Sequence, residues 1–169
     1  MPAPTGDPLP PPAARGPATP AAPVTLRPAR ESDLPRLTRL DEHLFPEFPY
    51  PFFVLRQLFD VHGDDLLVLD DGTDLLGYVL AGTRSDHKRS WILGLGVDAR
   101  ARGRGYGRQL LREALERLRR EQVVEAALTV DPSNTPAVEL YGSLGFVLTD
   151  ERPEYFGPGQ HRLIMVRSL

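Results

Sequence analysis

The sequence predicts a single α/β domain built on one mixed β-sheet. The first observation is length and composition: 169 residues, 41% hydrophobic and 25% charged, are typical of one soluble globular domain. The second is the order of the apolar patterns, which runs strand, two helices, three strands, helix, strand, helix, two strands. Strands interspersed with helices in this way form a sheet that helices cover.

The first 23 residues differ from the rest of the chain, because they hold nine of its 18 prolines. Such a segment buries too little apolar surface to order itself, so we expect residues 1–23 to be a disordered or polyproline-like tail and residues 24–169 to form the domain. The tail lacks the basic start and apolar middle of a signal peptide, and no apolar stretch approaches the roughly 18 residues that span a bilayer. We therefore expect a cytoplasmic protein that does not bind membranes.

The beginning of the domain predicts a strand and two helices. Residues 24–29 alternate as a half-buried strand. Residues 30–45 follow with leucines at helical spacing, namely Leu34, Leu37, Leu40 and Leu44. A loop must come next, because proline denies a helix its hydrogen bonds and prolines stand at positions 46, 49 and 51. Residues 52–60 predict a short amphipathic helix.

The middle of the domain predicts a hairpin, another strand and a long helix. Residues 65–71 and 73–84 are strands around "DDGT", a tight-turn composition. Residues 89–97 form the next strand. Residues 107–121 form a helix with an apolar stripe of Leu110, Leu111, Ala114, Leu115 and Leu118.

The last part of the domain predicts three strands and a short helix. Residues 123–130 have the composition of a buried strand, and residues 134–146 contain the helix. Residues 146–156 and 161–169 predict two strands around the turn "GPGQ".

The stretch "RGRGYG", residues 102–107, lies between the strand 89–97 and the long helix. Main-chain N–H groups converge at the start of a helix, where the helix dipole favours an anion. Glycines permit a positive φ and remove the Cβ atoms that would keep a phosphate away. Arg102, Arg104 and Arg108 add positive charge, so the turn predicts a cradle for a phosphate or pyrophosphate group.

Two nucleotide-binding motifs do not match this turn. A Rossmann site needs G-x-G-x-x-G early in the fold and an acidic residue after the next strand, whereas the spacing here is G-x-G-x-G and comes late. A Walker loop needs a Gly-Lys-Ser/Thr ending, and the turn contains no lysine. An arginine–glycine segment that binds nucleic acid and a solvated glycine-rich turn both stay open on these residues alone.

Composition bounds the other classes of function. The chain has no cysteine, which excludes disulfide bonds, thiolate metal ligands and a cysteine nucleophile. A net charge of −3 does not point to nucleic acid. Glutamates accompany the arginines of the long helix, at positions 113, 116 and 121. We expect neither a metal nor a nucleic-acid partner.

A second motif, "NTPAVELYGSLGF", follows at residues 134–146. Together with the glycine turn it resembles the GNAT superfamily of acyl-CoA-dependent N-acetyltransferases, and the resemblance extends over residues 24–169. That family's first signature, Arg/Gln-x-x-Gly-x-Gly/Ala, is matched by Arg102, Gly105 and Gly107. The second signature, Asn-x-x-Ala-x-x-Leu-Tyr-x-x-x-Gly-Phe, is matched by Asn134, Ala137, Leu140, Tyr141, Gly145 and Phe146.

The resemblance implies a mostly antiparallel sheet flanked by helices, with its central strands splayed apart. It implies transfer of an acetyl group from acetyl-CoA to an amine, on a peptide or protein N-terminus or on a small molecule. Tyr141 matches the family's general acid at the CoA sulfur, and the N–H of Val97 its oxyanion donor. The positions implied to contact acetyl-CoA are Leu95, Gly96, Val97, Arg102, Gly103, Arg104, Gly105, Tyr106, Gly107, Arg108, Asn134 and Tyr141.

The C-terminal sequence "EYFGPGQHRLIMVRSL" is similar to the branch that acetylates protein N-termini, including ribosomal-protein alanine acetyltransferases. In the ribosomal-protein enzymes a glutamate before the asparagine motif serves as base, and Thr129 stands at that position here. The base is left to a chain of water molecules or to one of five loop side chains: Glu47, His87, Asp131, Glu154 and His161. A non-catalytic acyl-CoA-binding module stays open as an alternative, and we expect a monomer or homodimer.

Overall fold

The computed structural model describes residues 23–169, so the predicted tail lies outside the described residues except for Pro23. The strands are β1 (Thr25–Pro28), β2 (Leu66–Asp70), β3 (Leu75–Thr83), β4 (Arg89–Val97), β5 (Glu125–Val130), β6 (Val147–Arg152) and β7 (Arg162–Ser168). The α-helices are α1 (Leu34–Leu44), α2 (Phe52–His62), α3 (Tyr106–Arg120) and α4 (Thr135–Ser143). The predicted α/β class and element order are confirmed.

The seven strands form one sheet in the order β1-β2-β3-β4-β5-β7-β6, and only β4 and β5 are parallel neighbours. These two strands pair from Arg89–Glu125 to Ile92–Leu128. Beyond Ile92, β4 continues along β3 while β5 continues along β7. The central strands therefore part, as the resemblance implied, and we call the gap between residues 93–97 of β4 and residues 129–130 of β5 the opening.

Helices cover both faces of the sheet. On the first, the α1 face, α1 and α2 pack on β2 and β3 through a cluster that includes Leu37, Leu55 and Tyr78. On the second, the α3 face, α3 and α4 pack through a cluster that includes Leu111 and Phe146. Both faces therefore border the opening. None of the helices within residues 23–169 has the length and hydropathy required to cross a bilayer.

β6 and α2 are among the elements that differ in length from their predictions. β6 ends at Arg152 rather than at residue 156, because Pro153 has no N–H to continue the ladder. Glu154 then adopts a φ of 55°, outside the extended region. α2 extends two residues further than predicted, to His62. The connection between β6 and β7 is consequently longer than the four-residue turn that the sequence suggests.

A buried ionic cluster joins the edge strand β1 to β2 and to the start of α1. Asp33 is 2% exposed, and its carboxylate accepts hydrogen bonds from Arg27 (2.6 Å) and Arg36 (2.7 Å). Both arginines also pair with Asp70 at the end of β2. The hydrogen bonds from Arg27 hold the pKa of Asp33 well below its usual range, although burial opposes ionisation. Ionised Asp33 therefore stabilises the folded state.

Asp33→Asn removes the buried carboxylate between Arg27 and Arg36 and leaves them only Asp70 to share, so we expect the free energy of unfolding at pH 7 to fall by roughly 3 kcal/mol. Because folding lowers the pKa of Asp33, its stabilisation is present above the unfolded value of about 3.9 and is lost as the pH falls below it. Urea unfolding at pH 7 and at about pH 3 tests this, since the difference between wild type and variant shrinks in acid.

The matched control is Asp60→Asn, which removes a carboxylate from the exposed pair of Asp60 and Arg56. Exposed ion pairs contribute little to stability, so this variant is expected to unfold like the wild type at both pH values. Equal losses in the two variants would contradict the role assigned to Asp33.

Candidate functional site

The main chain of β4 presents hydrogen-bonding groups to the opening. The N–H of Asp98 donates to the carbonyl of Leu76 in the β3 segment (2.8 Å), and hydrogen-bonded positions alternate along an antiparallel pair. Gly96 therefore turns its main chain toward β3. Leu95 and Val97 turn theirs toward the opening, where β5 does not pair with β4. Two of the three positions predicted to contact pantetheine thus offer their main chain to the opening.

Two glycines make β4 thin on the α1 face. A Cβ on Gly94 would lie 2.7 Å from the hydroxyl of Tyr78, and a Cβ on Gly96 would lie 2.6 Å from Leu44. Such distances are too short for real contacts, so only glycine lets these side chains approach the strand. Gly96 turns its main chain toward β3, and its lack of a side chain is what lets Leu44 pack against the strand beside the opening.

The glycine turn holds free N–H donors at the start of α3. Gly103 and Gly105 adopt left-handed conformations with φ of 75° and 78°, which glycine reaches without a steric cost. The first bond of the helix runs from the N–H of Gln109 to the carbonyl of Gly105 (3.0 Å). For the N–H groups of residues 103–108, no acceptor is found within the described part of the chain. Successive free donors at the positive end of a helix make a site for an anion.

The three arginines around the turn make different contacts. Arg102 donates through Nε to the carbonyl of Val97 (3.2 Å), which ties the turn to the end of β4. Arg108 donates to the hydroxyl of Ser143 (2.8 Å), which ties α3 to α4. Arg104 is exposed. Within residues 23–169 none of the three forms an ion pair, so their positive charge stays available to a bound anion.

The two sequence motifs meet at the end of β4. A Cβ on Gly107 would lie 3.5 Å from Leu140 of α4 and 3.8 Å from Val97 of β4, so three elements converge there. Asn134 precedes α4, and its side-chain oxygen accepts a hydrogen bond from the N–H of Ala137 (3.3 Å). The structure thus makes Asn134 the N-cap of α4, and its contact with the pantetheine arm stays a prediction.

Tyr141 follows Leu140, and its buried ring packs edge-to-face on Phe146, with 6.1 Å between ring centroids. Within residues 23–169, every polar side-chain atom that is fully enclosed has a hydrogen-bond partner. The hydroxyl of Tyr141 has no partner there, so it is not fully enclosed and must reach the surface. Burial raises the pKa of Tyr141 to about 12. The hydroxyl therefore keeps its proton at neutral pH and can donate it in a hydrogen bond.

A positively charged groove beside α3 was missed by the sequence analysis. It has a volume of about 1060 Å³, and Arg108, Arg112 and Arg119 line it from α3 while Arg167 lines it from β7. Arg117 adds a further positive charge to the lining, and Glu113 and Glu116 add two negative charges. Arg167 donates to the carbonyl of Leu144 (2.5 Å), and burial together with the charge of Arg119 lowers its pKa. The helical spacing of the three α3 arginines is a signal for one charged stripe, which we call the arginine groove together with Arg167.

The candidates for the base lie at different ends of the sheet. The carbonyl of His87 accepts from the N–H of Val124 where β4 and β5 are paired, so His87 is remote from the opening. Asp131 directly follows β5 at the open end, but hydrogen bonds from Ser133 lower its pKa, which weakens it as a base. The remaining candidates are exposed loop residues: Glu47, Glu154 and His161.

A buried carboxyl group on the α1 face was also missed. Asp41 is 1% exposed, and it accepts hydrogen bonds from the hydroxyl of Tyr78 (2.5 Å) and the N–H of Tyr50 (2.6 Å). Burial raises the pKa of Asp41. The signal is present in the sequence, because Asp41 lies four residues after Leu37 and so falls on the apolar stripe of α1, where a carboxyl group is costly unless it is hydrogen-bonded.

The chain is similar in sequence to curated acetyltransferases. It is 33% identical over 91 residues to the mycothiol acetyltransferase of Corynebacterium glutamicum strain R, an alignment that covers 54% of this chain and 31% of that protein. It is 25% identical over 156 residues to the N-alpha-acetyltransferase of Sulfurisphaera tokodaii, covering 85% and 92% of the two chains. The chain thus spans about a third of the length of the mycothiol acetyltransferases from C. glutamicum.

Solved acetyltransferase structures share the fold. Ard1 from Thermoplasma volcanium superposes with a TM-score of 0.79 at 23% identity, covering 86% of this chain and 97% of that chain. The ribosomal-protein-alanine N-acetyltransferase from Brucella melitensis gives 0.74 at 25% identity, covering 86% and 99%. Residues 31–146, more than half of the chain, match the model of the acetyltransferase (GNAT) family. The chain therefore belongs to the GNAT acetyltransferases, as its two motifs predicted.

Proposed function

We propose that this protein is an acetyl-CoA-dependent N-acetyltransferase. The observation that carries the proposal is a path of unpaired main-chain groups, which runs from the N–H donors of residues 103–108 to the N–H of Val97 and the main chain of Leu95 at the opening. CoA has a pyrophosphate in its middle and an amide-containing arm that ends in sulfur. Such a molecule fits both sets of groups, because the anion matches the helix start and the arm can pair with β4 as an added strand would.

In the proposed reaction the acceptor nitrogen attacks the carbonyl carbon of the thioester, the carbon–sulfur bond breaks, and the acetyl group stays on nitrogen as an amide. The N–H of Val97 would stabilise the negative charge that develops on the carbonyl oxygen. The hydroxyl of Tyr141 would donate to the departing sulfur. The acceptor loses its proton to a loop side chain or to water, which is easy for an α-amine because its pKa is about 7.7–8.0.

We propose the N-terminal amine of a peptide or protein as the acceptor. The S. tokodaii relative, matched over 92% of its length, is named an N-alpha-acetyltransferase. Exposed aromatic rings also lie where α1 leads into α2, at Phe45 and Phe48, and suit a peptide side chain. A small-molecule amine is the second candidate, because the higher identity of 33% is to a mycothiol acetyltransferase.

A thiol-release assay with acetyl-CoA, peptides with varied free N-termini and a set of small amines is expected to show CoA release with one acceptor class. Tyr141→Phe removes the hydroxyl and keeps the ring on Phe146, so we expect kcat to fall by roughly 100-fold. The Kd for acetyl-CoA, measured by calorimetry, is expected to change little. Binding without any turnover favours the non-catalytic acyl-CoA-binding module, and failure to bind acetyl-CoA contradicts the proposal.

Gly105→Ala tests the glycine turn. No atom lies within 4 Å of the added Cβ, so the effect comes from the φ of 78° and not from crowding. A non-glycine residue there is strained by about 1–2 kcal/mol, and a turn that relaxes this strain loses its alignment of N–H groups, so we expect a Kd for acetyl-CoA about tenfold higher. Gly159→Ala is the matched control, because Gly159 has a φ of 74° in similarly open space. Equal effects of both variants on the Kd for acetyl-CoA would contradict the role assigned to the glycine turn.

The arginine groove extends the proposed site beyond the glycine turn. CoA carries a further phosphate at the 3′ position of its ribose, and this monoester holds more negative charge at neutral pH than either single phosphate of the pyrophosphate. The groove begins at Arg108, one turn along α3 from the glycines, and continues to Arg112 and Arg167. We propose that these guanidinium groups bind the 3′-phosphate through charge-assisted hydrogen bonds.

Dephospho-CoA lacks that phosphate, so the wild type is expected to bind CoA about tenfold more tightly than dephospho-CoA. Arg112→Gln should reduce this preference. Arg84→Gln, in the exposed β3–β4 turn, should preserve it and serves as the control. Calorimetric Kd values for the two ligands decide the question, and equal values in the wild type exclude the groove from the site.

A further inference from the structure

The connection from α1 to α2, residues 45–51, is held to the sheet by Tyr50. The N–H of Tyr50 donates to the carboxyl group of Asp41 in α1 (2.6 Å), and its hydroxyl donates to the carbonyl of Leu93 in β4 (3.0 Å). Leu93 follows Ile92, the last residue of β4 that pairs with β5. A single residue therefore links the connection to α1 through its main-chain N–H and to the border of the opening through its hydroxyl.

Asp41 accepts the hydrogen bonds that main-chain N–H groups of this connection donate to α1. Prolines at positions 46, 49 and 51 have no N–H to donate. Within the described residues, the N–H groups of the connection that bond to α1 are those of Phe45, to the carbonyl of Asp41 (2.8 Å), and of Tyr50, to its side chain. The other carboxyl oxygen of Asp41 accepts from Tyr78 in β3 (2.5 Å). A buried carboxyl group with a donor on each oxygen fixes both donors in place.

The connection covers the thin, glycine-bearing part of β4. The ring of Phe45 lies 3.3 Å from the place where a Cβ of Gly96 would stand, on the α1 face. The glycine turn and Tyr141 belong instead to the α3 face. If the phosphates of CoA approach from the α3 face, the side of the thioester that remains accessible is the α1 face. An acceptor amine must then pass the wall formed by residues 45–51.

We propose that Asp41 is a positioning residue for the acceptor. Through Tyr50 it holds the 45–51 connection against Leu93, so that the acceptor meets a wall of fixed shape on the α1 face. This inference rests on the proposed acetyltransferase function. It makes the affinity for the acceptor depend on Asp41, whereas the affinity for acetyl-CoA does not, because the N–H donors of residues 103–108 lie on the other face.

Asp41→Asn offers one acceptor oxygen in place of two, so the N–H of Tyr50 and the hydroxyl of Tyr78 can no longer both donate to it. Tyr50→Phe removes only the bond to Leu93 and is the milder variant if Asp41→Asn folds poorly. In both variants we expect the KM for the acceptor to rise about tenfold, the ratio that corresponds to about 1.4 kcal/mol, with kcat and the Kd for acetyl-CoA within about twofold of wild type. Glu42→Gln makes the same change of charge on the exposed side of α1 and is expected to change none of these values.

The acceptor for these measurements is the peptide or amine with the highest turnover in the thiol-release assay. Hydrogen exchange of residues 45–51 adds a readout that needs no acceptor: it should accelerate in Asp41→Asn, while exchange in residues 103–108 should stay as in the wild type. A Kd for acetyl-CoA that rises together with KM overturns the inference, as do unchanged KM and unchanged exchange. Failure of the wild type to bind acetyl-CoA instead overturns the proposed function, and the exchange rates alone then decide whether Asp41 anchors the connection.

Discussion

The early end of the pairing between β4 and β5 is the constraint on which the site depends. Main-chain N–H and C=O groups inside a protein need partners, and a sheet normally supplies them from the next strand. Here Leu95 and Val97 face a gap. Because the two parting strands are parallel, α3 joins them, and its first residues come to the end of β4. One interruption of the sheet therefore places a row of strand groups next to the start of a helix.

The parts of this arrangement that local pattern determines could be predicted from the sequence. Alternation gives the strands, helical spacing gives α1 and α3, and the glycines of the turn reveal a backbone with positive φ at Gly103 and Gly105. No local pattern predicts that the pairing of β4 with β5 ends at Ile92, because the register of these strands depends on where α3 positions β5. Arg167 joins the arginine groove only through tertiary contact, since it is far from α3 in the chain. The loop candidates for the base differ in position rather than in composition, so no sequence pattern separates them.

In the proposed reaction, each face of the sheet would recognise one of the two substrates. Positive charge and free N–H donors gather on the α3 face, at the glycine turn and the arginine groove. Aromatic rings and a buried carboxyl group gather on the α1 face, around Tyr50 and Asp41. The thin strand between them, with glycine at positions 94 and 96, keeps the faces close to one another. Under the proposed function, changes in the α1–α2 connection would alter the acceptor without disturbing the phosphate contacts, because a fold and the sites built on it can vary separately.

The prolines of the 45–51 connection have a consequence for selectivity. Each ring fixes φ near −65°, so the unfolded connection has fewer conformations and loses less entropy on ordering. A surface that is ordered before its ligand arrives does not spend binding energy on arranging itself. As the wall proposed for the acceptor, this connection would discriminate among acceptors by rejecting those that do not fit, and it would offer little of the adaptability by which flexible loops accept several ligands. A rigid loop samples few other conformations that could bind a different acceptor. A change of substrate during evolution would then require substitutions in the sequence of this loop.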